Sequence, residues 1–238
     1  MYQVGLFGSF DVTRDGVTVT IPSESQRLVA FLALHESPIE RGYVAGRLWC
    51  DSDEERARAN LRSTLWRLRH RAPELVVADA TTLALGPDVS ADVRDVQRRS
   101  SVLWEPDHPD ESTDLDYRPF ALQFLPGWYD DWVVVERERL HQLCLHCLES
   151  IAATLLRRGL FGAAIQALLT SISIDPLRES PRRQLIAVHL AEGNHSEAVR
   201  QYREFAQVLE RELGLAPSPV MRSQLDEHGV AATPSPIA

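Results

Sequence analysis

The chain has 238 residues, 25 basic and 34 acidic, and a formal charge of −9. An apolar share of 44% provides for real cores and excludes wholesale disorder, and the length suits one large or two ordinary domains. No stretch approaches the roughly 20 apolar residues of a membrane-spanning helix. The opening MYQVGLFGSF lacks the basic leader and apolar run of a secretory signal. Three cysteines, Cys50, Cys144 and Cys147, are too few for a disulfide framework. The expectation is a soluble cytoplasmic protein with no membrane partner.

All 25 basic residues are arginine, which a GC-rich coding genome explains better than selection at every site. Overall acidity argues against a nucleic-acid partner only when the charge is spread evenly. Here it is not. From Arg56 to Arg71 there are six arginines and no acid; from Glu105 to Asp116 there are six acids and no base. The acidic block, with Pro106 and Pro109, reads as a loop, either simply solvated or shielding the basic segment.

Tyr2, Val4 and Leu6 alternate, as do Val17, Val19 and Ile21 beyond the turn Arg14-Asp15-Gly16, which predicts short antiparallel strands. Ser23, with Gln26 three residues on, reads as a capping box opening a first helix through Leu28, Phe31, Leu32 and His35. A second helix is expected over Glu40–Trp49.

The third helix carries the charge. Acids at 53–55 suit its N-terminal dipole, and Leu61, Leu65 and Leu68 recur as a buried stripe. At 100° per residue the opposite face presents Arg56, Asn60, Arg62, Ser63, Trp66, Arg67 and His70. Arginine and asparagine on one exposed helical face suit phosphates and base edges, although a charged stripe taken alone is usually just solvated. Two readings of Trp66 stand, one against sugar–phosphate and one in a domain contact. Strands at Leu75–Ala78 and Leu83–Leu85, joined by Asp79-Ala80-Thr81-Thr82, complete a winged helix-turn-helix order, with the third helix in the major groove.

From Trp132 onward the pattern is helical. Leu156/Leu190, Gly159/Gly193 and Ala164/Ala198 are each 34 residues apart, the period of tetratricopeptide helix pairs. Asp131–Arg157 is expected as the first long helix. The aromatics of LPGWYDDW, residues 125–132, are expected to anchor a turn against the bundle, a ligand cage being the alternative. Cys144 and Cys147, with His141 and His146, lie within one helix and lack a second pair at zinc-site spacing, so no metal or cofactor is expected. No phosphate loop, dinucleotide fingerprint, zincin motif or nucleophile elbow occurs, and nothing argues for an enzyme.

The expected fold is therefore two domains. An α+β winged helix-turn-helix occupies residues 1–96, an all-α tetratricopeptide-like helical domain residues 97–230, and a disordered tail residues 231–238.

The run ANLRSTLWRLRHR with its hairpin resembles the OmpR-type winged helix of the Streptomyces antibiotic regulatory protein family. LPGWYDDWVVVERERLHQLCLHCLE, the Asp-Pro-Leu-Arg-Glu run from Asp175 and the Glu-Leu-Gly-Leu run from Glu212 resemble that family's bacterial transcriptional activation domain. The resemblance covers roughly residues 2–228 and suggests a small member without the ATPase and sensor domains of larger relatives. It implies a transcriptional activator of secondary-metabolite genes, including antibiotic biosynthesis, that binds direct repeats in double-stranded DNA. Its protomers would sit as a homodimer or in tandem, contacting RNA polymerase holoenzyme. The DNA-binding residues it implies are Arg56, Asn60, Arg62, Ser63, Trp66, Arg67 and His70, with Thr81 and Thr82 at the wing tip. That tip has no arginine, and a wing without a cation grips phosphate less well. The alternatives are an interaction scaffold without DNA, or a ligand-responsive regulator acting through the helical domain.

Overall fold

The computed structural model describes residues 1–104 and 114–229. Most of the acidic run at 105–116, and the whole tail 231–238, lie outside them. The chain forms two compact units, a small β-rich winged domain and a tetratricopeptide-like helical domain.

In the first unit, β1 (Tyr2–Gly5), β2 (Asp11–Arg14) and β3 (Val17–Thr18) form an antiparallel ribbon, with Val4 opposite Val12. Alternation puts Tyr2, Val4, Leu6 and Val12 in the core. Three helices follow: α1 (Ser23–Ala33), α2 (Arg41–Leu48) and α3 (Glu54–Arg71). The Ser23 capping box does not form. Pro22 is the N-cap without a side-chain bond, and Gln26 Nε2 donates to the Ile21 carbonyl at 3.0 Å instead. Between α1 and α2 a two-residue strand, β4 (Ile39–Glu40), joins β5 (Val76–Ala78) and β6 (Thr82–Leu85) in a three-stranded wing ordered β4-β6-β5. Gly86 sits where an added Cβ would lie 2.1 Å from the Glu74 carbonyl oxygen, so only glycine lets the wing close at its base.

The chain then returns to the first sheet. β7 (Val89–Ala91) pairs in parallel with β1, giving the order β3-β2-β1-β7, and α4 (Asp92–Leu103) follows. The Asp92 carboxylate accepts from the Leu6 and Phe7 amides at 2.8 and 3.0 Å. Arg94 donates to the carbonyls of Leu32 and Ala33, satisfying the open C-terminus of α1.

The two units do not part at a single point near residue 96. The first unit comprises Met1–Arg99 and Leu122–His141, the second Ser100–Ala121 and the chain from Gln142. The reason is apolar burial: Phe124, Leu125, Trp132, Val133 and Leu140 belong to the winged-helix core. Of the aromatics in 125–132, Trp128 and Trp132 pack on the winged helix rather than the bundle, and Tyr129 is exposed. Trp132 meets Phe31 edge-on with ring centroids 5.3 Å apart, and Trp128 lies 5.7 Å from Phe10. Backbone bonds from the Gly8 amide to the Gln123 carbonyl and from the Leu125 amide to the Leu6 carbonyl hold this segment beside the chain that follows β1. Arg137 holds the turn by donating to the carbonyls of Phe124, Leu125 and Trp128, and Arg27 on α1 pairs with Asp130 at 2.5 Å.

The second unit is helical, with α5 (Asp131–Arg157) beginning in the first unit, then α6 (Phe161–Ile174), α7 (Glu179–Ala191), α8 (His195–Leu213) and α9 (Pro219–Asp226). The 34-residue period has a direct structural counterpart. Gly159 and Gly193 turn the chain at φ +70° and +81°, and Ala164 and Ala198 are fully buried where paired helices approach. Arg178 and Ser180 converge on Glu149 Oε1 at 2.6 and 2.9 Å, tying α7 to α5. Cys144 and Cys147 are buried in α5, and burial pushes the Cys144 thiol up to about 12. Among the described residues no helix is long and apolar enough to cross a membrane.

Replacing Trp132 with Ala should destabilise the first unit by about 3–5 kcal/mol, as for other large buried aromatics. Urea unfolding followed by hydrogen exchange at winged-helix amides checks this. Loss of protection confined to the helical unit would contradict the placement of Trp132.

Candidate nucleic-acid interface

The Asp53 side chain caps α3 by accepting from the Arg56 amide at 2.8 Å. Glu54 and Glu55 occupy its first turn, and Arg69, His70 and Arg71 its last, so both ends match the helix dipole. Buried positions are few: Ala57, Leu61, Thr64 and Leu68, with Leu65 half-buried. This narrow stripe leaves two flanks in solvent.

The expected residues divide between those flanks. Arg62 and Trp66 line a groove of about 580 Å³ between α3 and the wing, whose other residues include Arg41, Arg69, Val76 and Val77. Trp66 is 65% exposed, and its indole centroid lies 4.3 Å from that of His70. The His70 Nδ1 sits 2.7 Å from the Trp66 carbonyl, which fixes the ring. By helical geometry Arg56, Asn60, Ser63 and Arg67 fall on the other flank. Arg56 and Ser63 are exposed, whereas Asn60 and Arg67 are half-buried. The Arg67 Nε is covered without a hydrogen-bond partner.

What marks this helix is how closely its unpaired arginines are spaced. Among the described residues, Arg56, Arg62, Arg67, Arg69 and Arg71 make no ion pair, and only Arg58 has one, with Glu54. Elsewhere Arg27, Arg98, Arg118, Arg139, Arg178, Arg200 and Arg211 are each held by a carboxylate. Among the described residues, arginines without an ion pair also occur elsewhere, such as Arg14, Arg47 and Arg183, but between Arg56 and Arg71 they fall densely on one helix with no acid among them.

The wing tip is built differently. Asp79 accepts from the amides of Thr81 and Thr82 at 2.8 and 2.6 Å, and from the Thr82 hydroxyl at 2.8 Å. These bonds, led by the Thr82 and Thr81 amides, hold the Asp79 carboxyl down at about 2. Both threonines therefore serve the turn first, and the tip charge is negative. Arg41, at the start of α2, closes the tip from the side: its amide donates to the Thr81 carbonyl and its Nη1 to the Asp79 carbonyl, both at 2.8 Å.

Sequence reasoning missed Arg41, Arg58, Arg69 and Val77 as lining residues. Arg58 and Arg69 belong to the basic run, but a face drawn opposite the buried stripe omits its flanks. Arg41 had no sequence signal, because the strand that sets it beside the wing is two residues long.

Residues 115–227 match the bacterial transcriptional activator domain. Over 98% of its length the chain is 26% identical to the regulatory protein AfsR of Streptomyces coelicolor, and it spans 24% of that protein. Among solved structures it is similar to Mycobacterium tuberculosis EmbR, in a complex with a low-affinity phosphopeptide. The TM-score is 0.73 at 21% identity, over 95% of this chain and 64% of that one. The chain thus spans about a quarter of the curated relative and under two thirds of the structural one. The winged helix with its cationic third helix thus precedes an activator-domain bundle. Over residues 115–227 the chain carries the bacterial transcriptional activator domain, and along its length it is similar to a Streptomyces regulatory protein.

The wing-tip turn should respond to pH with the sign of a depressed carboxyl. It is fully formed above the ordinary carboxylate range near 4 and is lost as pH falls through about 2. Amide shifts of Thr81 and Thr82 in an NMR titration check this. A midpoint near 4 would mean that the carboxylate does not hold the turn.

Proposed function

We propose that the protein is a sequence-specific DNA-binding transcriptional activator, acting in the cytoplasm on double-stranded DNA. The observation that carries this reading is the set of five arginines on α3 without an ion pair among the described residues. Such closely spaced cations repel one another, and duplex phosphate neutralises them while releasing counterions. The outer flank of Arg56, Asn60, Ser63 and Arg67 supplies the groups that bind phosphates and base edges. In this reading α3 lies in the major groove, and the sites are promoter-proximal direct repeats occupied by a homodimer or by tandem protomers. The helical unit makes the protomer and RNA polymerase contacts, and the controlled genes are secondary-metabolite genes. The resemblance to a Streptomyces regulatory protein supports the last point. No cofactor, metal or catalytic residue enters the account.

Arg67→Ala should cost about 1–3 kcal/mol on a specific duplex if Arg67 reads a base, and less on mixed-sequence DNA. Arg67→Lys keeps the charge but loses the planar fork, so it should relax one base position while leaving the salt slope intact. Fluorescence anisotropy on both duplexes reads the difference. Equal losses on both would reduce Arg67 to a phosphate contact, and no loss on either would remove it from the interface.

A further inference from the structure

We propose that Arg41, rather than any wing-tip side chain, supplies the cation with which this winged helix grips a backbone phosphate beside the wing. The proposal rests on the DNA-binding reading above and names a contact within the same surface. The tip Asp79-Ala80-Thr81-Thr82 contains no cation, and its one charge is the Asp79 carboxylate. That carboxylate occupies the Thr82 hydroxyl hydrogen at 2.8 Å, which weakens the tip as a donor to phosphate. A DNA strand passing from the groove read by α3 to the neighbouring groove must cross between α3 and the wing, so that crossing needs positive charge from elsewhere.

Arg41 stands there. It lines both the groove shared with Trp66 and Arg69 and an adjoining cleft of about 390 Å³ at the tip, where Arg58, Arg62 and Thr81 are its neighbours. Arg62, on α3, is the other unpaired cation that borders both spaces. The acid in the cleft is Glu40, an exposed neighbour that makes no ion pair with Arg41. The Arg41 guanidinium donates to one neutral acceptor, the Asp79 carbonyl. A guanidinium carries five N–H donors, so this bond orients the fork while leaving its charge and its remaining donors for a phosphate. One residue thus pins the tip and presents the cation that the tip lacks.

The test is the salt dependence of binding between about 50 and 200 mM, measured by anisotropy on a mixed-sequence duplex with the full chain. Loss of one phosphate contact lowers the slope of log K against log salt by about 0.9. Arg41→Gln should show that loss, together with a roughly tenfold weakening at fixed salt. Arg41→Lys should keep the wild-type slope. Asp79→Ala separates a phosphate contact from a mere pin: it releases the tip but retains Arg41, so its slope should not fall. An unchanged slope in Arg41→Gln, or an equal fall in Asp79→Ala, would overturn the assignment. Wild-type protein without salt-dependent binding would instead remove the DNA reading on which it rests.

Discussion

Four buried positions on an 18-residue helix, Ala57, Leu61, Thr64 and Leu68, hold α3 in place, and what the winged domain presents depends on that narrow stripe. A broader apolar face would bury the flanks and force their arginines into ion pairs. The narrow one buries enough to seat the helix and leaves both flanks wet. Burial elsewhere compensates: the core beneath α3 is completed by residues from 122–141, far along the chain. Phe124, Leu125, Trp132 and Val133 add apolar area that a small winged domain otherwise lacks.

The electrostatics follow from the same division. Arg27, Arg98, Arg118, Arg139, Arg178, Arg200 and Arg211 pair with acids, largely with neighbours close in sequence, and such exposed pairs contribute little stability. Their consequence is spatial: they neutralise charge locally and leave α3 as the concentrated source of positive potential. At −9 overall, the protein repels duplex DNA at long range and attracts it only when α3 faces the backbone. That bias orients an encounter as well as strengthening it.

Legibility in the sequence followed the range of the interactions. α3 was visible because its stripe, cap and charges are all local, and the helical pairs because Gly159/Gly193 and Ala164/Ala198 repeat a local turn and a close approach. β4 and β7, two and three residues long, are too short to alternate, and exist because Glu40 finds Thr82 and Val89 finds Tyr2. The return of 122–141 to the winged helix was hidden for a similar reason. An aromatic run announces burial but not its partner, so Trp132 read as part of the bundle although it packs on Phe31. The Ser23 box failed because Pro22 had already set the extended geometry of the cap.

The central claim is that α3 reads sequence in duplex DNA. Selection of bound sequences from a random duplex library, with the full chain at fixed physiological salt, tests it most directly. The account predicts enrichment of a direct repeat whose half-sites lie about one helical turn apart. Retention of DNA without enrichment of any motif would contradict it. The unpaired arginines would then mark a general polyanion surface, and sequence discrimination would have to be sought outside α3.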